Sequence, residues 1–307
     1  MKKVAIVYGE LKNDLQKRAV EELTKILLDC TQSYPICIPY GEAVDTEAYR
    51  FVYLGTKKTN SYIKAASFAS LTVAESYAIA VKNNTVVIEG FDDAGVLYGV
   101  LDFYNKYIVK IENPENADHL SHLFAEGDLP AFSCVSAPDI KERGLWTWGH
   151  VIYDYRDYLS NMMRLKMNGV IIWNDFAPVN QEEIVAYAHS CNIKVYWGFS
   201  WLWDTSCNRR SVKNLEGEAQ KIFEKYEKEY ASSGGDGIYF QTFTELKTDN
   251  IEGVLVAEAA TKFVNETSAL FYEKYPSLEI QFGLHATSVR DKLSFLQAVD
   301  SRIRIVW

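Results

Sequence analysis

Glu245 closes the stretch Asp236-Gly-Ile-Tyr-Phe-Gln-Thr-Phe-Thr-Glu245, just ahead of the polar segment Lys247-Thr-Asp-Asn250. A short apolar and aromatic run that ends in a lone carboxylate reads as a strand delivering an acid. At the C-terminal end of a strand in a parallel barrel, that side chain points into the active site. An oxygen leaving group departs readily only if it is protonated as its bond breaks. A Glu placed among Tyr239, Phe243 and nearby Trp residues is partly desolvated, which raises its pKa and keeps a proton available near neutral pH. Glu245 is therefore the candidate general acid. The plain alternative is a solvated Glu that caps the following loop.

Further residues could build a cleft around it. Trp148, Trp173, Trp197, Trp201 and Trp203 fall at or just past strand ends. Sugars present apolar C–H faces that stack on aromatic rings, although ordinary core packing is expected for two or three of the five. The Arg143 fork can hold hydroxyls or a carboxylate, or pair with Glu142 or Asp139. Asn174 and Asp175 can bond sugar hydroxyls, and Asp175 can equally cap the next helix. Thr244 precedes the acid. His285 and His150 follow strands, with substrate contact and a structural role both open. Nothing has metal-ligand spacing, and no cofactor is expected. A glycosidase also needs a second carboxylate or a substrate nucleophile. Asp175 and Asp204 are weak candidates for it, and the loop after Trp307 is the expected source.

These side chains need a frame. Lys2–Tyr8 reads as a buried strand, followed by a helix carrying Leu15, Ala19, Leu23, Ile26 and Leu27. Residues 35–40 and 51–55 read as strands. Two more flank Lys82-Asn83-Asn84 as a hairpin. Asp92 can cap a helix whose Gly95 and Gly99 permit close packing on the sheet. Residues 1–110 are thus expected to form a small α/β domain. The polar stretch 111–138, ending in Pro130 and Pro138, reads as a linker. From 139 to 307 strand and helix alternate strictly: Arg143–Trp148, Gly169–Asn174, Ile193–Ser200, Gly237–Thr244, Leu278–Leu284 and Ile303–Trp307 are the strands. The fold class is α/β. The second domain reads as a (β/α)₈-type barrel with about six strands present and the chain cut short inside it. An open doubly wound sheet is the alternative. No glycine-rich phosphate loop follows the first strand of either domain.

The 307 residues carry a net charge of −9 and are 48% apolar. An acidic surface argues against a nucleic-acid partner. No stretch approaches the roughly 20 apolar residues of a membrane span, and the N-terminus lacks a signal-peptide core. The five Cys form no CxxC pair and read as reduced thiols, so the chain as written is expected in the cytoplasm, with export of homologues left open. Oligomeric state is not readable.

Several short motifs together resemble a known arrangement. Ser76-Tyr-Ala-Ile-Ala80, with Val87-Ile-Glu-Gly-Phe-Asp-Asp-Ala-Gly95-Val-Leu-Tyr98-Gly, is similar to the small α/β domain that precedes the barrel in family-20 β-hexosaminidases and family-67 α-glucuronidases. Arg143-Gly144, Lys166-Met-Asn168-Gly-Val-Ile-Ile-Trp-Asn174 and Asn192-Ile-Lys-Val-Tyr-Trp197 resemble their first three barrel strands. Family-20 enzymes carry an Asp-Glu pair on the fourth strand, whose Asp holds the substrate N-acetyl nucleophile. Thr244-Glu245 departs from that pair and is similar to the small hydroxyl residue and acid Glu of family 67, without the glycine-rich segment that follows there. The resemblance implies a glycoside hydrolase-like protein acting on, or binding, terminal sugars of oligosaccharides or glycans. The alternatives are a non-catalytic carbohydrate-binding protein or an inactive truncated glycosidase, and, on the open-sheet topology, a non-sugar α/β enzyme.

Overall fold

The computed structural model describes residues 2–42, 45, 47–66, 69–111, 123–174, 176–201, 211–242, 249–284 and 292–306. The chain divides into two compact units. One is Met1–Lys141 with Met163–Lys166 and His189–Asn192; the other is Glu142–Met162, Met167–Ala188 and Ile193–Trp307.

The first unit holds a six-stranded sheet in the order β2-β1-β3-β5-β4-β6. Its strands are β1 (Lys3–Tyr8), β2 (Ile36–Pro39), β3 (Tyr49–Thr56), β4 (Tyr77–Lys82), β5 (Thr85–Gly90) and β6 (Phe132–Ser136). The first four neighbours run parallel, and β4 runs antiparallel to both β5 and β6. Helix α1 (Asp14–Thr31) starts at Asn13, whose side chain accepts from the Gln16 amide, and buries Ala19, Leu23 and Leu27. The short helix α2 is Ser61–Ala66. Helix α3 (Asp93–Asp102) is capped by Asp92, which accepts from the Gly95 amide at 2.8 Å. An added Cβ on Gly95 would stand 2.2 Å from the Ser76 carbonyl oxygen, so only glycine lets α3 lie this close to the sheet. Asn83 and Asn84, with φ of 50° and 62°, make the tight turn between β4 and β5.

The expected linker 111–138 needs correction. Its segment Phe132–Ser136 is β6, paired with β4 from Tyr77↔Ser136 to Val81↔Phe132. Pro130 and Pro138 flank this strand rather than interrupt it, which is where a sheet tolerates proline. The edge of β4 offers backbone donors and acceptors that a linker would leave unpaired, and the first unit accordingly runs on to Lys141.

The second unit holds a parallel six-stranded sheet in the order β14-β13-β10-β9-β8-β7. Its strands are β7 (Gly144–Trp146), β8 (Gly169–Trp173), β9 (Lys194–Gly198), β10 (Gly237–Phe240), β13 (Glu279–Gly283) and β14 (Arg304–Val306). Helices α4 (Tyr155–Arg164), α5 (Gln181–Ser190), α6 (Leu215–Glu229), α7 (Val256–Lys274) and the short α8 (Leu293–Leu296) alternate with them. Ahead of α7 the chain makes a small hairpin, β11 (Asn250–Ile251) with β12 (Val254–Leu255), turned at Glu252 and Gly253.

Spatial order follows chain order, and the sheet curls. Laid flat, six strands about 4.8 Å apart would separate the outer two by about 24 Å. Yet Arg304 on β14 pairs with Glu142, beside β7, at 2.6 Å. The Trp146 ring on β7 lies 5.1 Å from the Tyr239 ring on β10, three strands away. The result is a partial barrel, as the strand–helix alternation implies, and not a flat open sheet. No helix among the described residues is long and apolar enough to cross a membrane. Cys30, Cys37, Cys134 and Cys191 are not in disulfides.

Candidate functional site at the strand ends

The parity of each strand decides which side chains enter the barrel. On β7, β8 and β10 the inward residues include Trp146, Trp173 and Tyr239, whose rings meet across the interior: Trp146 to Trp173 at 6.1 Å and Trp173 to Tyr239 at 5.8 Å. Glycines on neighbouring strands make room for them. A Cβ on Gly198 would lie 2.8 Å from a Trp173 ring carbon, and one on Gly283 would lie 1.9 Å from the Tyr239 hydroxyl. Large and small residues thus alternate around the interior, as a small barrel requires. Burial pushes the Tyr239 hydroxyl pKa up, and the hydrogen bond that Gln241 Nε2 donates to it at 2.8 Å partly offsets this.

Past β7 the chain adds Trp148. Its ring meets Trp146 edge-on at 4.0 Å and 86°, and lies 6.5 Å from Trp173 at 26°. Thr147 ties the two strand ends together. Its amide donates to Ile171 O at 3.0 Å, and its hydroxyl accepts from the Trp173 amide at 3.0 Å. Trp148 is 50% exposed, whereas Tyr239 is buried at the floor. Centroids 4.0–6.5 Å apart leave no gap for a ligand between the rings. The cluster is a packed platform, and a ligand meets its outer surface.

The opposite ends of the strands carry a polar layer. Asn168, just before β8, accepts from the Arg143 amide at 2.8 Å and donates its own amide to Arg143 O. Asp236, just before β10, does the same for Val195. Glu279 on β13 accepts from Tyr196 Oη at 2.7 Å and pairs with Lys194. Burial pushes the Glu279 carboxyl up, but the bonds from Lys194 and Tyr196 and the charges of Lys194 and Arg304 outweigh it and hold the pKa below the ordinary value. These contacts pin strand starts and stand away from the aromatic platform, where a barrel does its chemistry.

Comparison by shape places this architecture. CpGH84B matches with a TM-score of 0.65 at 14% identity, over 99% of this chain and 52% of that one. A GH138 enzyme targeting pectin rhamnogalacturonan II matches at 0.63 and 14%, over 99% and 38%. BtGH115A, a GH115 4-O-methyl-α-glucuronidase with specificity for decorated arabinogalactans, matches at 0.58 and 12%, over 100% and 45%. The fold is glycosidase-like. The chain spans about half or less of each of these proteins. No family model and no curated protein matches the sequence. The neighbours fall in families 84, 138 and 115, so the narrower tie to families 20 and 67 does not follow from them.

Within this glycosidase-like fold, the residues singled out from sequence separate. Trp148 and Trp173 join the platform. Asn174, half-buried, follows Trp173 beside Tyr155, whose hydroxyl is pushed up in pKa by burial and drawn back by the Asn174 side chain. Arg143 precedes β7, at the far end of the strand from Trp148. Trp197 points to the helix-covered side: its Nε1 donates to Ser233 Oγ at 2.8 Å and its ring packs on Tyr230. Trp201 is fully buried on that side, stacked on Phe240 at 3.5 Å and facing Phe263 and Phe271 of α7. The structure does not bring Arg143, Trp197 or Trp201 to the platform. Glu245, Thr244, Asp175, His285, Trp203 and Asp204 lie outside the described residues. Among the described residues no three His, Cys, Asp or Glu side chains could hold a metal ion.

The sequence pattern does not single out Trp146, Thr147 or Gln241, and Tyr239 reads there only as surroundings for Glu245. A signal was present: Trp146 and Trp148 are two apart, the spacing that puts strand residues on one face.

Proposed function

We propose that this chain is a glycoside hydrolase-like protein that acts on, or binds, terminal sugars of oligosaccharides or glycans, with Glu245 as its general acid. The observation that carries the reading is the platform of Trp146, Trp148, Trp173 and Tyr239 at the C-terminal strand ends of a glycosidase-like barrel sheet. In such a barrel this is the face where substrates sit. Rings that present a flat apolar surface suit the C–H face of a sugar. Asn174 adds a donor and an acceptor beside them for hydroxyls. Thr244, Asp175 and His285 are proposed to contribute to substrate binding. The similar proteins act on chemically different glycans, so the fold supports the reaction class without selecting the sugar.

Stacking binds sugar without any proton transfer, so the same platform supports a second reading, a carbohydrate-binding protein without catalysis. One experiment separates them. Hydrolysis is followed for a panel of aryl glycosides and of natural disaccharides, with the unaltered chain and with Glu245→Gln. A general acid is worth about 10²–10⁴-fold. Glu245→Gln is expected to lose that factor on disaccharides, whose leaving group needs a proton, and far less on activated aryl glycosides. Equal loss on both classes, or none, removes Glu245 from this role. Sugar binding with no turnover of either class selects the binding protein.

A further inference from the structure

We propose that Trp148, held on a strained backbone, is the specificity-determining wall of the saccharide site and takes the C–H face of a pyranose. The proposal rests on the saccharide reading above. Residues Thr147 to His150 form a tight turn closed by the His150 amide donating to Thr147 O at 3.0 Å. Its two central residues, Trp148 and Gly149, have φ of 50° and 72°. Two positive φ values are the signature of a type I′ turn, which favours Asn-Gly or Gly-Gly. Gly149 suits its position. Trp148 does not, because a bulky side chain at positive φ is an outlier. An Asn or Gly there would satisfy the turn at lower cost, so folding alone gives no reason for an indole.

The ring itself supplies one. Edge-on contact with Trp146 and the inclined approach of Trp173 brace it, while half of its surface remains exposed. The Thr147 hydroxyl, held on the Trp173 amide, fixes the turn to the adjacent strand end. The strained turn therefore presents a rigid, half-open apolar wall, braced by these contacts, at the one face of the barrel where substrates bind. A wall of this kind selects by shape: it accepts a pyranose whose ring hydrogens form a continuous face and rejects one with an axial hydroxyl directed at the indole.

Three variants separate ring from strain. Trp148→Phe keeps an aromatic wall, Trp148→Ala removes the wall and keeps the strained backbone, and Trp148→Asn removes the wall and suits the turn. Binding is titrated by saturation-transfer NMR with the methyl glycosides of glucose, galactose, xylose, N-acetylglucosamine and glucuronic acid. Stability is read by thermal melting. Relative to the unaltered chain, Trp148→Ala and Trp148→Asn are expected to bind about two- to tenfold more weakly, the range of one aromatic stacking contact. Trp148→Phe is expected to retain most of the affinity. Trp148→Asn is expected to melt a few degrees above Trp148→Ala, about the shift that relief of one left-handed residue gives. If Trp148→Ala binds as the unaltered chain does, or melts at or above Trp148→Asn, the proposal is overturned while the saccharide reading stands. If the unaltered chain binds no sugar of the panel, the saccharide reading falls and this proposal with it.

Discussion

Replacing Gly283 by alanine asks whether the barrel interior is packed as described. The new Cβ would stand 1.9 Å from Tyr239 Oη, 2.5 Å from Cζ and 2.9 Å from Cε2. All three separations are well inside van der Waals contact, and Tyr239 has little room to retreat. It is 2% exposed, its hydroxyl accepts from Gln241, and its ring lies 5.1 Å and 5.8 Å from Trp146 and Trp173. Overpacking a core costs about 1–3 kcal/mol, and three simultaneous clashes put Gly283→Ala near the upper end. At about 2–4 °C per kcal/mol for chains somewhat shorter than this one, the transition of the second unit should fall by about 5–10 °C. Scanning calorimetry measures this, and indole fluorescence reports the displaced Trp146 and Trp173. Tyr239→Leu removes the clashing atoms, so Gly283→Ala on that background should be nearly neutral. The double-mutant cycle should then give a coupling of about 1–3 kcal/mol. A Gly283→Ala variant that melts like the unaltered chain, or a strictly additive cycle, would refute the interior described here.

Two carboxylates, Glu89 buried and Glu279 half-buried, give pH dependences of opposite sign. Glu89 is 1% exposed, its Oε2 lacks a hydrogen-bond partner, and burial raises its pKa against the weaker pull of Lys57 at 3.4 Å. A carboxyl raised in the folded state contributes full stability below its ordinary value of 4.5 and loses it as pH rises through the folded pKa. Glu89→Gln should therefore stabilise the first unit at pH 7, with the gap closing below about pH 4.5; denaturant melts that find it destabilised at pH 7 would contradict this. Glu279, held low by Lys194, Tyr196 and Arg304 despite its partial burial, contributes stability above 4.5 that is lost as pH falls through its depressed pKa. Glu279→Gln should melt lower at pH 7 and converge with the unaltered chain in acid. A gap that persists below the folded pKa would assign the loss to packing instead.

The strand–helix alternation from residue 143 onward was legible because each strand is a short apolar run bounded by polar or glycine residues, and five of the six lie within two or three residues of the expected spans. The direction of individual side chains was not. Strands of a parallel barrel are buried on both faces, so apolar–polar contrast does not reveal parity. Tyr196 and Trp197 are both aromatic and both buried, and only the structure tells which faces the interior. For the same reason Trp197 and Trp201 could not be told apart from Trp148 and Trp173 by strand-end position. Arg143 opens the expected strand and immediately precedes the observed one, so it stands at the strand start, away from the platform. β6 was hidden because pairing with β4 depends on a partner about 55 residues away in the chain. The turn at Trp148 carries no Asn-Gly signal, because the residue there is the wrong one for the turn.

The proposed saccharide site is the platform of Trp146, Trp148 and Trp173, and not the indoles on the helix-covered side. Indole N–H resonances, assigned by single Trp→Phe substitutions, resolve it directly. On titration with the methyl glycoside panel, the Trp148 and Trp173 signals should shift in a saturable way, while those of Trp197, bonded to Ser233, and Trp201, stacked between Phe240 and Phe271, should stay in place. Shifts confined to Trp197 or Trp201, with Trp148 unmoved, would contradict the account.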